Sequence, residues 1–196
     1  MTLFAAAQLA DLLWPFFLIA GIEQVRIAPG DTAFTPLDFV SYPYSHSLLM
    51  LVVWGVVFGV VYARAARGTM REWAVIAALV VSHWVLDFVT HRPDMPVYPG
   101  GGRYGLGLWN SIPATVVIEA AMFVIGFVIY MRATRARDRT GRWGILGLGG
   151  LLLGGYLANI GGGAPPSVNA LAVVAIVGAA LILLLTWWAD RHRVPA

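Results

Sequence analysis

Six runs of apolar residues, each long enough to cross a lipid bilayer as one helix, limit what this chain can fold into. A crossing helix needs roughly 17–25 mainly apolar residues. Since 59% of the residues are hydrophobic and 12% are charged, the chain has too little polar surface to cover a soluble globule. We predict an all-α membrane protein, a polytopic bundle of about six transmembrane helices in a single domain, 1–196. The predicted helices cover about 3–21, 46–65, 73–91, 109–131, 143–160 and 168–188.

The connections between these runs differ in arginine content, and this difference predicts their sidedness. Arginines concentrate in 64–72, in 132–142 and in the C-terminal tail, and basic connections stay on the cytoplasmic side of a membrane. Both termini are therefore expected to be cytoplasmic. The segments 22–45 and 92–108 are rich in proline, glycine and aromatic residues, so we expect outer loops that cover the bundle.

Composition also narrows the kinds of partner and site. The chain has no cysteine, so a metal site would need histidine, aspartate or glutamate ligands. The arginines lie between apolar runs and form no basic patch, so we expect membrane lipid and no nucleic acid as a partner; the oligomeric state stays open. Glycines at 147, 150 and 154 in the fifth run have a spacing that permits close helix contact.

The segment SHWVLDFVTH, at the end of the third run, carries ionisable groups in an apolar helix. His83, Asp87 and His91 recur every four residues, which places them on one stripe of that helix. Neighbouring members are separated by about 6 Å along the axis and the outer pair by about 12 Å. One ion could therefore bind two neighbours of this stripe but hardly all three.

Three ionisable groups on other helices are expected in the outer half of the bundle: Asp11 and Glu119 at about the depth of His83, and His46 nearer the outer surface unless its helix starts higher or the preceding loop folds inward. A charge near the bilayer centre costs several kcal/mol, so such groups usually face a bundle interior, pair with one another or line a functional cavity. Taken singly, each has a simpler interpretation, such as a helix-packing hydrogen bond or an interfacial side chain. Their combination predicts one shared polar site formed by Asp11, His46, His83 and Asp87.

These residues resemble a known family. The motif SHSLL at the start of one membrane helix, HWVLDFVTH at the end of the next and QLADLLWP upstream are similar to those of the YdjM-like membrane-bound metal-dependent hydrolases of the bacterial inner membrane. The resemblance covers roughly residues 5–95 and implies a divalent metal, a hydrolytic activity and an inner-membrane location. Its matching positions are Asp11, His46, His83, Asp87 and His91. Family members often carry a histidine-bearing segment before the first aspartate, and this chain has none.

The ligand types indicate the chemistry. Histidine and carboxylate ligands suit zinc, which activates water at neutral pH. We expect Asp11, His46, His83 and Asp87 to hold the metal, and Glu119 with Asp87 to act in catalysis on a lipid or lipid-linked substrate from the outer leaflet. Side chains at the outer rim, or behind the ligands, would be His91, Asp94 and Asp38.

Two other functions use the same residues. The cluster could serve a non-enzymatic binder or a proton- or cation-coupled transporter, or it could only fix helix packing. A transporter of this size often shows inverted repeats and broken helices, and the sequence shows neither, which favours a site over a pathway.

Overall fold

The computed structural model describes residues 1–160 and 162–196 and is mostly helical. Five of its helices are long and apolar enough to cross a membrane, which confirms membrane-type helices for the second to sixth runs. Their ends differ from the predicted ones by a few residues. These helices are α4 (Leu48–Ala66), α5 (Met70–Thr90), α6 (Ile112–Ala133), α7 (Arg139–Ile160) and α8 (Val168–Arg191).

The first run forms two shorter helices instead of one. Helix α1 is Thr2–Ala7 and α2 is Leu9–Ile19, and Gln8 between them has φ −100° and ψ 10°. The carbonyl of Ala7 accepts a hydrogen bond from the ring of His83, 2.9 Å away, in place of a helical N–H. A side-chain contact from α5 thus accompanies the break, which local sequence does not predict because Gln8 is an ordinary helix former.

The all-α prediction is incomplete, because the described residues also form three two-stranded antiparallel sheets. Strand β1 (Gln24–Ile27) pairs with β2 (Leu37–Ser41), opposing Arg26 to Asp38. A short helix, α3 (Pro43–His46), follows β2 and leads into α4. The remaining pairs are β3 (Met95–Pro96) with β4 (Arg103–Tyr104) and β5 (Thr134–Ala136) with β6 (Arg193–Pro195).

The segments 20–47 and 91–111 form one layer over an end of the bundle, here called the loop layer. Arg92 joins its two parts by ion pairs with Asp31 and Asp38, and its Nε also lies 3.2 Å from Asp94 of its own segment. Burial opposes the charge of Arg92, but these carboxylates raise its pKa above the ordinary value. The backbone N–H of Phe34 also donates to the carbonyl of Trp109 over 3.0 Å. Two segments distant in sequence are therefore held as one cover.

Helices α4 and α5 pack closely through a glycine. A Cβ built on Gly55 would lie 3.0 Å from the backbone oxygen of Ala77, so only glycine fits without displacing α5. The core beside this contact consists of Leu51, Ile76 and Val80, with Ala6 and Ala10 of the first run.

The glycines predicted to make close contacts in α7 do not make them. At Gly147, Gly150 and Gly154 an added Cβ would meet no described atom within 4 Å. Helix α7 instead approaches its neighbours at Gly144, against Trp188, and at Gly149, against Phe127.

The two ends of the chain meet, because the Met1 ammonium lies 3.0 Å from an Asp190 carboxylate oxygen.

Candidate metal centre

Three elements bring ionisable side chains together where the loop layer meets the helices. One ligand atom from each of Asp11 on α2, His46 on α3 and His83 on α5 lies within 4.8 Å of the others, a group that could hold a metal ion. Asp87, one turn beyond His83, adds a second carboxylate, with Oδ2 lying 3.2 Å from Nε2 of His83 and 3.8 Å from Nε2 of His46. The structure thus brings together three of the predicted ligands as a possible metal-binding group, with Asp87 beside the two histidines.

The orientation of the His83 ring is set by a hydrogen bond on the side facing away from the carboxylates. Its Nδ1 lies 2.9 Å from the carbonyl oxygen of Ala7, and a carbonyl can only accept, so Nδ1 carries a hydrogen. The other nitrogen, Nε2, faces Asp87 at 3.2 Å and Asp11 at 3.7 Å. In a neutral ring this nitrogen carries a lone pair, which repels a carboxylate. A metal ion, or a hydrogen carried by the ring or by a carboxyl group, must therefore lie between these groups.

His46 has the same arrangement with a different partner. Its Nδ1 lies 2.6 Å from the hydroxyl of Ser45, and its Nε2 lies 3.5 Å from Asp11. Both histidines are nearly fully buried, with 5% of His46 and 8% of His83 exposed, so their orientations are fixed by packing.

The ligand atoms of Asp11, His46 and His83 lie close enough together to bind one small divalent ion. Ligands in a tetrahedron with bonds of ~2.0–2.2 Å are separated from one another by roughly 3.3–3.6 Å. The histidine-to-carboxylate distances around this group are 3.2, 3.5, 3.7 and 3.8 Å, and Asp11 faces His46 through Oδ1 and His83 through Oδ2. The donor set, two imidazoles and two carboxylates, is one that zinc accepts. The residues present therefore fit the metal that the sequence predicted, although its identity stays a prediction.

One side of the centre lies near the protein surface. The side chain of Asp11 is 52% exposed, whereas that of Asp87 is 18% exposed. Structural zinc sites are closed by four protein ligands, whereas catalytic ones bind three and keep a position for water. The group of Asp11, His46 and His83 would leave such a position, and binding of Asp87 as well would fill it.

His91 lies in the loop layer, next to the centre, and is held by other groups. Its Nδ1 is 3.0 Å from Oδ1 of Asp94, which also accepts a 2.8 Å hydrogen bond from the hydroxyl of Tyr42. Burial and the neighbouring Asp94 charge raise the pKa of Tyr42 far above its ordinary value, so its phenol stays a donor. The ring of His91 packs 4.2 Å from that of Trp109. Asp94 thus holds the ring of His91 in place, and its role behind a metal-bound histidine stays a prediction.

Two other predicted residues lie away from the four ligands. Glu119 accepts a 3.3 Å hydrogen bond from the indole of Trp109 and lines a small apolar cavity between α6 and α7 with Tyr156. Asp38 binds Arg26 and Arg92, and no histidine among the described residues contacts it. The catalytic role of Glu119 stays a prediction, and Asp38 acts in the loop layer.

Sequence reasoning missed Glu23, a carboxylate only 2% exposed in the turn after α2. Its Oε1 accepts hydrogen bonds from the backbone N–H groups of Tyr44 and Ser45 at 2.7 and 2.8 Å, and its Oε2 lies 2.6 Å from the hydroxyl of Ser45. No local pattern marks this residue, because its partners follow more than twenty residues later.

Comparisons of the chain with protein-family models, with curated proteins and with solved structures find no match.

Proposed function

We propose that this chain is an integral membrane metal-dependent hydrolase of the YdjM-like kind, acting on a lipid or lipid-linked substrate. The observation that carries the proposal is the convergence of two buried imidazoles and two carboxylates, with Nε2 of both rings directed at the carboxylates. The resemblance of SHSLL and HWVLDFVTH to that family supports the reaction type.

The four side chains would hold the ion, and each has a distinct task. His46 and His83 present Nε2 from rigid, buried rings, and Asp87 fixes the side of the centre toward α5. Asp11 is half exposed, and a substrate would approach the ion from the side on which Asp11 lies. Zinc, when bound, would supply a Lewis acid and lower the pKa of a water to about 7.

A lipid-like substrate is supported by the surface of the bundle. Large apolar side chains of α4, α6 and α8 are exposed, among them Val61, Val117 and Val174, as expected for helices in contact with lipid. Glu119, next to Trp109 of the loop layer, would move protons or bind a polar part of the substrate. The transporter alternative has less support, since the contacts of Glu119 are with aromatic residues and not with the four ligands.

Metal content tests the centre. Purified full-length protein should hold about one equivalent of zinc, whereas His83→Ala and Asp87→Ala should lose it, because each removes a ligand. His192→Ala is the matched control, since His192 pairs with Asp138 at the opposite end of the bundle and should leave zinc content unchanged. Elemental analysis decides it, and equal metal in all four proteins would refute the centre.

A panel of lipid esters and phospholipids tests the reaction. Wild type is expected to cleave at least one class, and Glu119→Gln to keep the metal but lose turnover, typically by 10²–10⁴-fold for a proton-transfer group. His91→Ala should have a smaller effect, because its contacts are with Asp94 and Trp109. If protein with stoichiometric zinc cleaves no lipid class, hydrolysis is wrong and the centre belongs to a binder or transporter.

A further inference from the structure

Glu23 is a buried carboxylate without a basic partner among the described residues. Its two oxygens are satisfied by two backbone N–H groups and by the hydroxyl of Ser45. Pairing with the first turn of α3 accounts for Oε1, whereas Oε2 contacts only the Ser45 hydroxyl. This second contact, next to a predicted ligand, is the one that capping of α3 does not explain.

The hydrogen count along Glu23, Ser45 and His46 explains that contact. An ionised carboxylate only accepts, and a serine hydroxyl has a single hydrogen, so Ser45 donates to Glu23 over 2.6 Å. The oxygen of Ser45 must then accept from Nδ1–H of His46, also over 2.6 Å. The ring consequently presents Nε2 as a lone pair toward Asp11 and Asp87.

We propose that Glu23 is a positioning residue of the metal centre, which acts through Ser45 to hold His46 in the metal-binding tautomer. This inference rests on the proposed metal site. Carboxylates that lie behind a metal-bound histidine orient the ring and make it a stronger ligand, and their loss typically costs 10–100-fold in metal affinity. Glu23 performs this task from the turn after α2, with a serine hydroxyl between carboxylate and ring.

Glu23→Gln separates this role from a purely structural one. The amide oxygen of glutamine can keep the two backbone hydrogen bonds, so the turn before α3 is retained. Its NH₂ group, however, can only donate to Ser45, which must then donate to Nδ1 of His46. The hydrogen of the neutral ring moves to Nε2, and this nitrogen no longer has a lone pair with which to bind the metal.

The experiment measures zinc affinity of the full-length protein in detergent, by competition with a chelator, together with the melting temperature of the metal-free form. Glu23→Gln should bind zinc about 10–100-fold more weakly at an unchanged melting temperature. Ser45→Ala should weaken binding as well, and Ser45→Thr, which keeps the hydroxyl, should restore it. The exposed capping residue Glu72 provides the control Glu72→Gln, with wild-type affinity expected.

Each result has one meaning. Wild-type affinity in Glu23→Gln and Ser45→Ala overturns the role of Glu23 while leaving the metal centre intact. If Glu23→Gln does not fold, the pair Ser45→Ala and Ser45→Thr decides, and equal affinity in the two refutes the proposal. A wild-type protein that binds no zinc refutes the centre itself, an outcome distinct from the others.

Discussion

At the scale of single residues, Asp94 holds together side chains from both segments of the loop layer. Its carboxylate accepts from Tyr42 and His91 and contacts Arg92. Burial favours the neutral acid, but these three partners outweigh it and hold the pKa of Asp94 below its ordinary value. The charged form is therefore the one that stabilises the loop layer.

Asp94→Asn should reveal a pH-dependent part of the stability. Because the pKa is lower in the folded than in the unfolded state, the stabilisation is complete above the unfolded value of about 3.9 and is lost as pH falls through the folded value. At pH 7 the variant should be less stable by about 1–3 kcal/mol, and the difference should shrink below pH 4. Melting curves of detergent-solubilised protein at several pH values measure both effects.

Asp138→Asn is the matched control for that series. The pKa of Asp138 is also lowered, chiefly by the backbone N–H of Gly141 and then by His192, but its side chain is 47% exposed. Solvent screens such pairs, so the variant should melt close to wild type at every pH. A pH-independent loss in Asp94→Asn, or an equal effect in both variants, would show that the charge of Asp94 does not matter.

At the scale of elements, the contact between α4 and α5 determines the spacing of two ligands. His46 lies just before α4, and His83 lies on α5. Gly55 lets the two helices approach, since a Cβ there would meet the backbone of Ala77. The close contact of two apolar helices thus sets the geometry of a polar centre that neither helix forms alone.

Gly55→Leu should weaken zinc binding by at least tenfold and lower the melting temperature, because overpacking typically costs 1–3 kcal/mol and would separate α4 from α5. Gly147→Leu, in α7, should leave both quantities near wild type, since a Cβ there has no described neighbour within 4 Å. Calorimetry and zinc titration on both variants test this, and wild-type affinity in Gly55→Leu would contradict the claim that this contact positions the ligands.

Sequence predicted the elements whose signal is local. Apolar length is enough to identify α4 to α8, and the four-residue spacing is enough to place His83 and Asp87 on one face of a helix. The break at Gln8 could not be predicted, because it accompanies the contact of Ala7 with a ring from α5. Glu23 was missed because its hydrogen-bond partners, Tyr44 and Ser45, also lie far along the chain. Strands of two to five residues, paired across loops, also carry too little pattern to detect.

At the scale of the whole molecule, the meeting of Met1 with Asp190 places both ends of the chain on one side of the bundle. Which side of the membrane this is follows only from the arginine-rich connections. Reporter fusions after residues 68, 138 and 196 should therefore score cytoplasmic, and fusions near 30 and 100 should score external. A periplasmic C-terminus would reverse the topology and place the loop layer inside the cell.

The convergence of ligands from three separate helices has a consequence for how the chain is made. On the ribosome Asp11 is synthesised first. His46 follows just before α4, and His83 follows in α5. Asp11 lies in the first turn of α2, a helix of 11 residues that is shorter than a membrane span, and an aspartate at the centre of the membrane costs up to about 2.5–3.5 kcal/mol on insertion scales. The newly made first run is thus the weakest candidate for early entry into the bilayer. We expect it to be retained there stably only once α5 has followed, so that biogenesis of the protein depends on its third apolar run.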